Sequence, residues 1–273
     1  MVATSRPAGA VLIEFSQRRP RAIAPEVPAE VPVQVAYADI PFGIMMMTPA
    51  DLDDFAYGFS LTEGVIERAA DIRGIAIEEG SAGAVLRVDL VAARLQTHLA
   101  RRRAMAGRTS CGLCGIEDFD SLPRARLPAG PAPEVSLAAV RRALGTLDAH
   151  QPLNGLTHAV HGAAWADDEG RIVLAREDVG RHNALDKLVG ACLRTGVVPG
   201  AGFVLVTSRA SYEMVEKAAT FGARTLVAIS GPTALAVERA RALDITLIGI
   251  ARRDAVTIFN GAERVVIDTQ APG

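Results

Sequence analysis

The chain has 273 residues, with 29 Lys and Arg against 31 Asp and Glu, and 49% of it is hydrophobic. At about 150 residues per domain, that length suits one large domain or two small ones, with a core sizeable enough to need no covalent staples. The nearly cancelled charge offers no bulk field for nucleic acid or anionic lipid, 4% aromatic residues are too few for base-stacking platforms, and three cysteines exclude a disulfide framework.

Residues 1–30 read as a flexible N-terminal arm: Pro7, Pro20, Pro25 and Pro28 interrupt any periodicity, and Arg18, Arg19 and Arg21 add charge. The apolar stretch 8–13 is too short for a secretion signal and runs into Glu14, and no apolar run approaches the ~20 residues of a membrane span. A cytoplasmic protein with no membrane or nucleic-acid partner is expected. Residues 31–106 read as an N-terminal α+β lobe. Strands are predicted over 31–36 and 42–47, then a helix after Asp51 with Leu52, Phe55, Ala56 and Phe59 on one face. A hairpin pairs 72–78 with 84–90 across Gly80-Ser81-Ala82-Gly83, and a second helix covers 91–103. Residues 107–133 hold two cysteines and then Pro123, Pro128, Pro131 and Pro133, a segment long for an inert connection.

The 134–268 region reads as an α/β lobe. Helices are predicted over 136–147, 183–193, 212–221 and 233–242, and strands over 159–166, 171–175, 203–207, 225–229 and 245–250. Ser211 suits an N-cap, Gly222 a C-cap and Pro232 a first helical turn. The alternation implies a largely parallel sheet covered by helices. Asn260-Gly261 between two apolar runs predicts a terminal hairpin.

Cys111-Gly112-Leu113-Cys114 brings two thiols together, and four readings compete. Zinc needs more ligands; His158 and His161 could supply them, but an i, i+3 pair on a strand points to opposite faces. A dithiol redox site fits the Cys-Gly-x-Cys form but lacks a preceding Trp. A persulfide carrier needs an accessible thiol of lowered pKa, and Arg94, Arg101, Arg102, Arg103 and Arg108 precede the pair with no acidic residue between Arg94 and Arg108. Two buried, inert thiols are the fourth reading, for which a Gly-rich, Arg-flanked loop is a poor setting. Cys192, on an apolar helix face, reads as core.

Three strand exits carry polar groups. Asp178, Gly180, Arg181, His182 and Asn183 join a strand to a helix, where backbone N–H groups and Arg181 could hold a phosphate. Ser208, Arg209 and Ser211 follow the next strand, and Ile250, Ala251, Arg252, Arg253, Asp254 and Ala255 follow the last. Each has an ordinary capping role as its alternative. On one edge together, they suit a large polyanion such as a pyrophosphate-bearing cofactor. Neither the dinucleotide fingerprint nor the P-loop pattern occurs in the sequence.

The stretch EDVGRHNALDKLVG from Glu177, with Ser110–Gly115 (SCGLCG), closely resembles the FdhD family, the sulfur carrier or accessory proteins of formate dehydrogenase. SRASYEMVEKA from Ser208, PTALAVE from Pro232 and the block Thr48–Val65 match further family segments in order. The resemblance implies a three-layer α/β/α, cytidine deaminase-like mixed sheet without the deaminase zinc. It implies sulfur transfer from a cysteine desulfurase to the molybdenum or tungsten bis-molybdopterin guanine dinucleotide cofactor of formate dehydrogenase. By the same resemblance Cys111 carries the persulfide, Cys114 is its partner, residues 250–255 bind the cofactor, of which guanosine diphosphate is a mimic, and the chain is a homodimer. His161 matches a family His, whereas His158 stands where the family often has Gly. A cofactor-holding chaperone and a thiol–disulfide oxidoreductase are the alternative functions.

Overall fold

The computed structural model describes residues 3–16, 19–104, 125–126 and 130–267. The N-terminal residues, expected as an irregular arm, form strands. β1 (Ser5–Pro7) pairs antiparallel with β4 (Glu26–Pro28), and β2 (Ala10–Ile13) with β3 (Pro20–Ile23). A hydrogen bond from Ala8 N–H to Pro25 O joins the pairs into one ribbon, and one from Ala29 N–H to Thr4 O extends its far end. The prolines tolerate this because Pro7, Pro20 and Pro28 all fall at strand ends, where a missing donor costs little.

β5 (Val31–Tyr37), β6 (Ile40–Met47), β7 (Ile72–Gly80) and β8 (Gly83–Leu90) make a four-stranded sheet in the order β6-β5-β8-β7, close to the predicted strands. α1 (Leu52–Thr62) buries the expected stripe of Leu52, Phe55, Ala56 and Phe59, and α2 (Ala92–Ala104) follows β8.

In the second region α3 (Leu137–Thr146) is capped by Ser136, whose Oγ accepts from the N–H groups of Ala138 and Ala139. α4 (Pro152–Thr157), β10 (His161–Asp167), β11 (Ile172–Asp178) and α5 (Arg181–Thr195) come next. Then follow β12 (Gly202–Val206), α6 (Tyr212–Phe221), β13 (Thr225–Ala228), α7 (Ala234–Ala242), β14 (Thr246–Gly249) and β15 (Thr257–Asn260). The order β11-β10-β12-β13-β14-β15 is mixed rather than largely parallel: β12-β13 and β13-β14 are parallel and the other three pairings antiparallel.

Side-chain alternation divides this sheet between two cores. Ala163, Trp165, Val204, Val206, Leu226 and Ala228 join Leu185 and Leu188 of α5 and Met214 and Val215 of α6 on one face. Ala164, Ala166, Phe203, Leu205, Val227 and Ile248 pack with Val140, Ala143 and Leu144 of α3 on the other. The first core continues without a break into Val33, Phe55, Leu86 and Val88, so the regions 31–106 and 134–268, separable on the sequence, share one apolar interior.

Their junction is a backbone-to-backbone crossing of α1 and α5. A Cβ on Gly58 would lie 1.7 Å from Asp186 O, and one on Gly190 would lie 1.7 Å from Asp54 O. Asp54, buried at this crossing, accepts from Arg176 Nε at 2.8 Å and Arg194 Nη1 at 2.6 Å.

Three local expectations fail. The Asn260-Gly261 hairpin does not form: Gly261 takes φ 78 and opens a 3-10 turn over Ala262–Arg264, while β15 pairs with β14 and β16 (Val265–Val266) pairs with β9 (Val135–Ser136). The apolar runs find longer-range partners, which override the turn signal. His158 is not on a strand with His161; it ends α4 at φ 52, the left-handed region, a conformation suited to the Gly that the resembling family often carries there. Pro232 is not in the first turn of α7 but two residues before it: Thr233 caps the helix, its Oγ1 accepting from Ala236 N–H.

Candidate functional site

Strand direction assembles the site. β11, β12, β13 and β14 all end on one edge of the six-stranded sheet, where β10 and β15 begin. The three polar strand exits therefore meet on this carboxyl edge, together with His161 at the start of β10. Such an edge is the usual ligand crevice of an open α/β sheet.

The β11–α5 turn is held from beneath. Asp178 is fully buried; its Oδ2 accepts from Lys187 Nζ at 2.6 Å and Thr48 N–H at 3.1 Å, and its Oδ1 from Gly180 N–H at 2.8 Å and Asn183 Nδ2 at 3.1 Å. Lys187, also fully buried, donates to Thr48 O at 2.9 Å as well. A buried ion pair is tolerable when its remaining lone pairs and protons are met, as here. Asp178 thus shapes the turn and offers no oxygen to a ligand. Asn183 does likewise, donating to Met46 O at 2.9 Å and tying the turn to β6.

Above this base stand Arg181, His182 and His161. α5 begins at Gly180 and α6 at Ser211, neither with a side-chain cap. Arg181 Nε and Ser211 Oγ are buried atoms without a hydrogen-bond partner. Arg181 and the exposed Arg209 have no described carboxylate in ion-pair contact. Two uncapped helix starts and two uncommitted guanidiniums make this edge attractive to anions. His182 Nε2 lies 2.8 Å from Glu213 Oε2, off the line of a good N–H···O bond. His182 beside it holds the Glu213 carboxyl below the usual range, against the opposing effect of burial. Burial pushes the His161 imidazole down, and nearby Arg181 adds to this.

The other exits divide between scaffold and surface. Ser208 is buried, its Oγ donating to Arg209 O at 3.1 Å, and Ala251 is buried too. Arg252, Arg253, Asp254 and Ala255 are exposed. Arg252 Nη1 folds back to Ile229 O and Ala251 O, and Arg253 pairs with Asp148 at 2.7 Å. Ile250, 47% exposed, takes φ 50. A β-branched residue in the left-handed region is a true outlier costing about 1–3 kcal/mol, and such strain gathers at ligand clamps.

Glu213 and Lys187 carry roles that sequence reasoning did not assign. Glu213 is an acidic residue in the first turn of a helix rising from the same edge, a signal readable once the strand exits are aligned. Lys187 is on the apolar face of α5, and only the fold shows its carboxylate. Glu177, beside Asp178 at the end of β11, also has a structural role: its two oxygens accept from Leu153 N–H at 2.9 Å and Asn154 N–H at 2.7 Å and cap α4 from a neighbouring strand.

Cys111 and Cys114 lie outside the described residues. Cys192 is fully buried, and burial pushes its thiol up to about 12, as suits a core residue. Among the described residues no group of three or more His, Cys, Asp and Glu could hold a metal ion, and no helix is long and apolar enough to cross a membrane.

Known proteins bear on this arrangement. The sulfur carrier protein FdhD of Bordetella petrii is 49% identical over 242 residues, covering 88% of this chain and 86% of its own. That of Xanthomonas euvesicatoria is 46% identical over 239 residues, covering 88% and 85%. A crystal structure described as a formate dehydrogenase accessory protein from Desulfotalea psychrophila superposes with a TM-score of 0.76 at 25% identity, covering 97% of this chain and all of that one. The FdhD/NarQ family model matches residues 28–266, from the last strand of the ribbon to the end of β16, and the chain belongs to that family.

Proposed function

We propose that this protein carries persulfide sulfur from a cysteine desulfurase to the molybdenum or tungsten bis-molybdopterin guanine dinucleotide cofactor destined for formate dehydrogenase. The observation that carries the reading is the convergence of Arg181, Arg209, the strained Ile250 turn and two uncapped helix starts on one sheet edge. Its chemistry suits a substrate with several phosphates and a nucleotide end. The names borne by the relatives, sulfur carrier protein and formate dehydrogenase accessory protein, support the same direction.

In this reading the Cys111 thiolate attacks the terminal sulfur of the donor persulfide. One S–S bond forms on Cys111, the donor's S–S bond breaks, and the donor cysteine leaves as thiolate. Attack by Cys114 on Cys111 Sγ then expels the carried atom as sulfide for the metal and leaves a Cys111–Cys114 disulfide, which a dithiol reductant reopens. The edge holds the substrate meanwhile: Arg181 and the α5 start face its phosphates, and the exposed 250–255 turn faces its nucleotide end. The cytidine deaminase-like form of the sheet, a cytoplasmic location and a homodimer belong to the same proposal.

The test follows Cys111. After incubation with desulfurase and cysteine, intact-protein mass should rise by one sulfur atom, and Cys111→Ala should abolish both that rise and activation of formate dehydrogenase. Tight guanine nucleotide binding with no mass shift would replace the carrier with a cofactor-holding chaperone. Reduction of insulin disulfides by the chain would favour an oxidoreductase.

A further inference from the structure

The chain downstream of the cysteines is gripped by its backbone. Glu216, in α6, is buried, and its Oε2 accepts from Ala125 N–H. Its Oε1 accepts from Arg239 Nε of α7, and Arg239 Nη2 donates to Ala125 O at 3.0 Å. One carboxylate and one guanidinium thus close a ring on both polar groups of a single alanine. A little further on, Arg224 Nη1 donates to Gly130 O at 3.2 Å.

The two grips define a direction. α6 starts beside the carboxyl edge after β12 and runs to Gly222 at the opposite edge, where Arg224 leads into β13. Gly130 is therefore at the opposite edge. Ala125 is beside Glu216, five residues into α6 from Ser211, or about 8 Å below the helix start at 1.5 Å per residue. Ala125, beside Glu216, is therefore nearer the crevice than Gly130, beside Arg224. Cys114 precedes Ala125 by eleven residues, a span of up to about 40 Å when extended, so length does not limit its access to the edge. What a grip at Ala125 supplies is the direction of departure.

We infer that Glu216 and Arg239 are positioning residues that aim the cysteine-bearing segment at the carboxyl edge. This rests on the carrier function proposed above. A buried carboxylate costs desolvation that a purely apolar contact would not. Here the carboxylate and its Arg fix the backbone of a residue whose own side chain is a methyl group.

The experiment separates aim from loading. In a Cys114→Ser background, spin labels go on Cys111 and on Leu156→Cys; Leu156 is exposed on α4, which Glu177 pins to the carboxyl edge. Cys192, with its thiol pushed up to about 12, stays unlabelled. Arg239→Met removes the guanidinium half of the grip while keeping apolar cover, and Ala125→Pro removes the N–H donor while leaving the Glu216–Arg239 pair intact. Both should broaden the inter-label distance distribution and shift it longer. In the two-cysteine protein, both should lower formate dehydrogenase activation about tenfold, as a misaimed reactant does, with sulfur loading of Cys111 within about twofold of the parent. An unchanged distribution with unchanged activation in the folded variants overturns the inference. If Cys111 of the parent accepts no sulfur, the carrier function fails by itself, and the label distances still decide the positioning role.

Discussion

The two edges of the six-stranded sheet solve the same problem with opposite outcomes. At the opposite edge, Asp244 accepts from Arg224 Nη2 at 2.7 Å and Arg264 Nη1 at 2.6 Å, and Thr246 Oγ1 accepts from Arg264 Nε. Left-handed positions there fall to Gly222, Gly261 and Asp244, residues that tolerate them. At the carboxyl edge Arg181 and Arg209 lack a described carboxylate, and the left-handed positions fall to His158 and Ile250. One edge is neutralised and relaxed, and the other is left charged and strained. On the function proposed above, the difference separates an end built for folding from one built for a ligand.

The contrast breaks hardest at the neutralised edge. Asp244→Asn keeps the left-handed tolerance but removes the charge shared by two guanidiniums, one of them, Arg224, only 4% exposed in its side chain. A loss of about 1–3 kcal/mol should appear as a lower urea midpoint, with guanosine diphosphate affinity unchanged. At the carboxyl edge the pattern should invert. Arg181→Gln should leave the midpoint within about 0.5 kcal/mol and weaken guanosine diphosphate binding about tenfold by calorimetry. Equal loss of stability in that variant would mean that the guanidinium is committed to the fold. The smallest effect should come from Ile250→Asn, which suits φ 50 better. A gain of about 0.5–1 kcal/mol with weaker nucleotide binding would show that strain there serves the ligand.

Much of this was legible before the structure. The Leu52–Phe59 stripe, the hairpin of β7 and β8, the α6 limits Ser211 and Gly222 and the core position of Cys192 follow from local periodicity and capping. The meeting of three polar strand exits was readable because only strand direction had to be right, and the parallel run β12-β13-β14 supplied it. What failed depended on distant partners. The prolines of the first thirty residues gave no sign that they would fall at the ends of a ribbon, and the Asn260-Gly261 signal lost to β14 and β9. Asp178 was read as a ligand contact because it ends a strand beside Arg181. Its commitment to Lys187 nine residues later and to Thr48 across the chain is a tertiary fact. Glu213 and His182 are 31 residues apart, with no pattern to link them.

The glycine crossing of α1 and α5 bears on how the protein can be handled. With Gly58 and Gly190 in backbone contact, α5 has no independent seat, and the start of that helix is the floor of the crevice. A fragment beginning after the proline-rich stretch would lose Asp54, the clasp of Arg176 and Arg194, and Thr48, which receives Lys187. The tempting cut between the two regions therefore runs through the support of the carboxyl edge itself. Expression trials and tag placement should treat residues 31–104 and 130–267 as a single indivisible body.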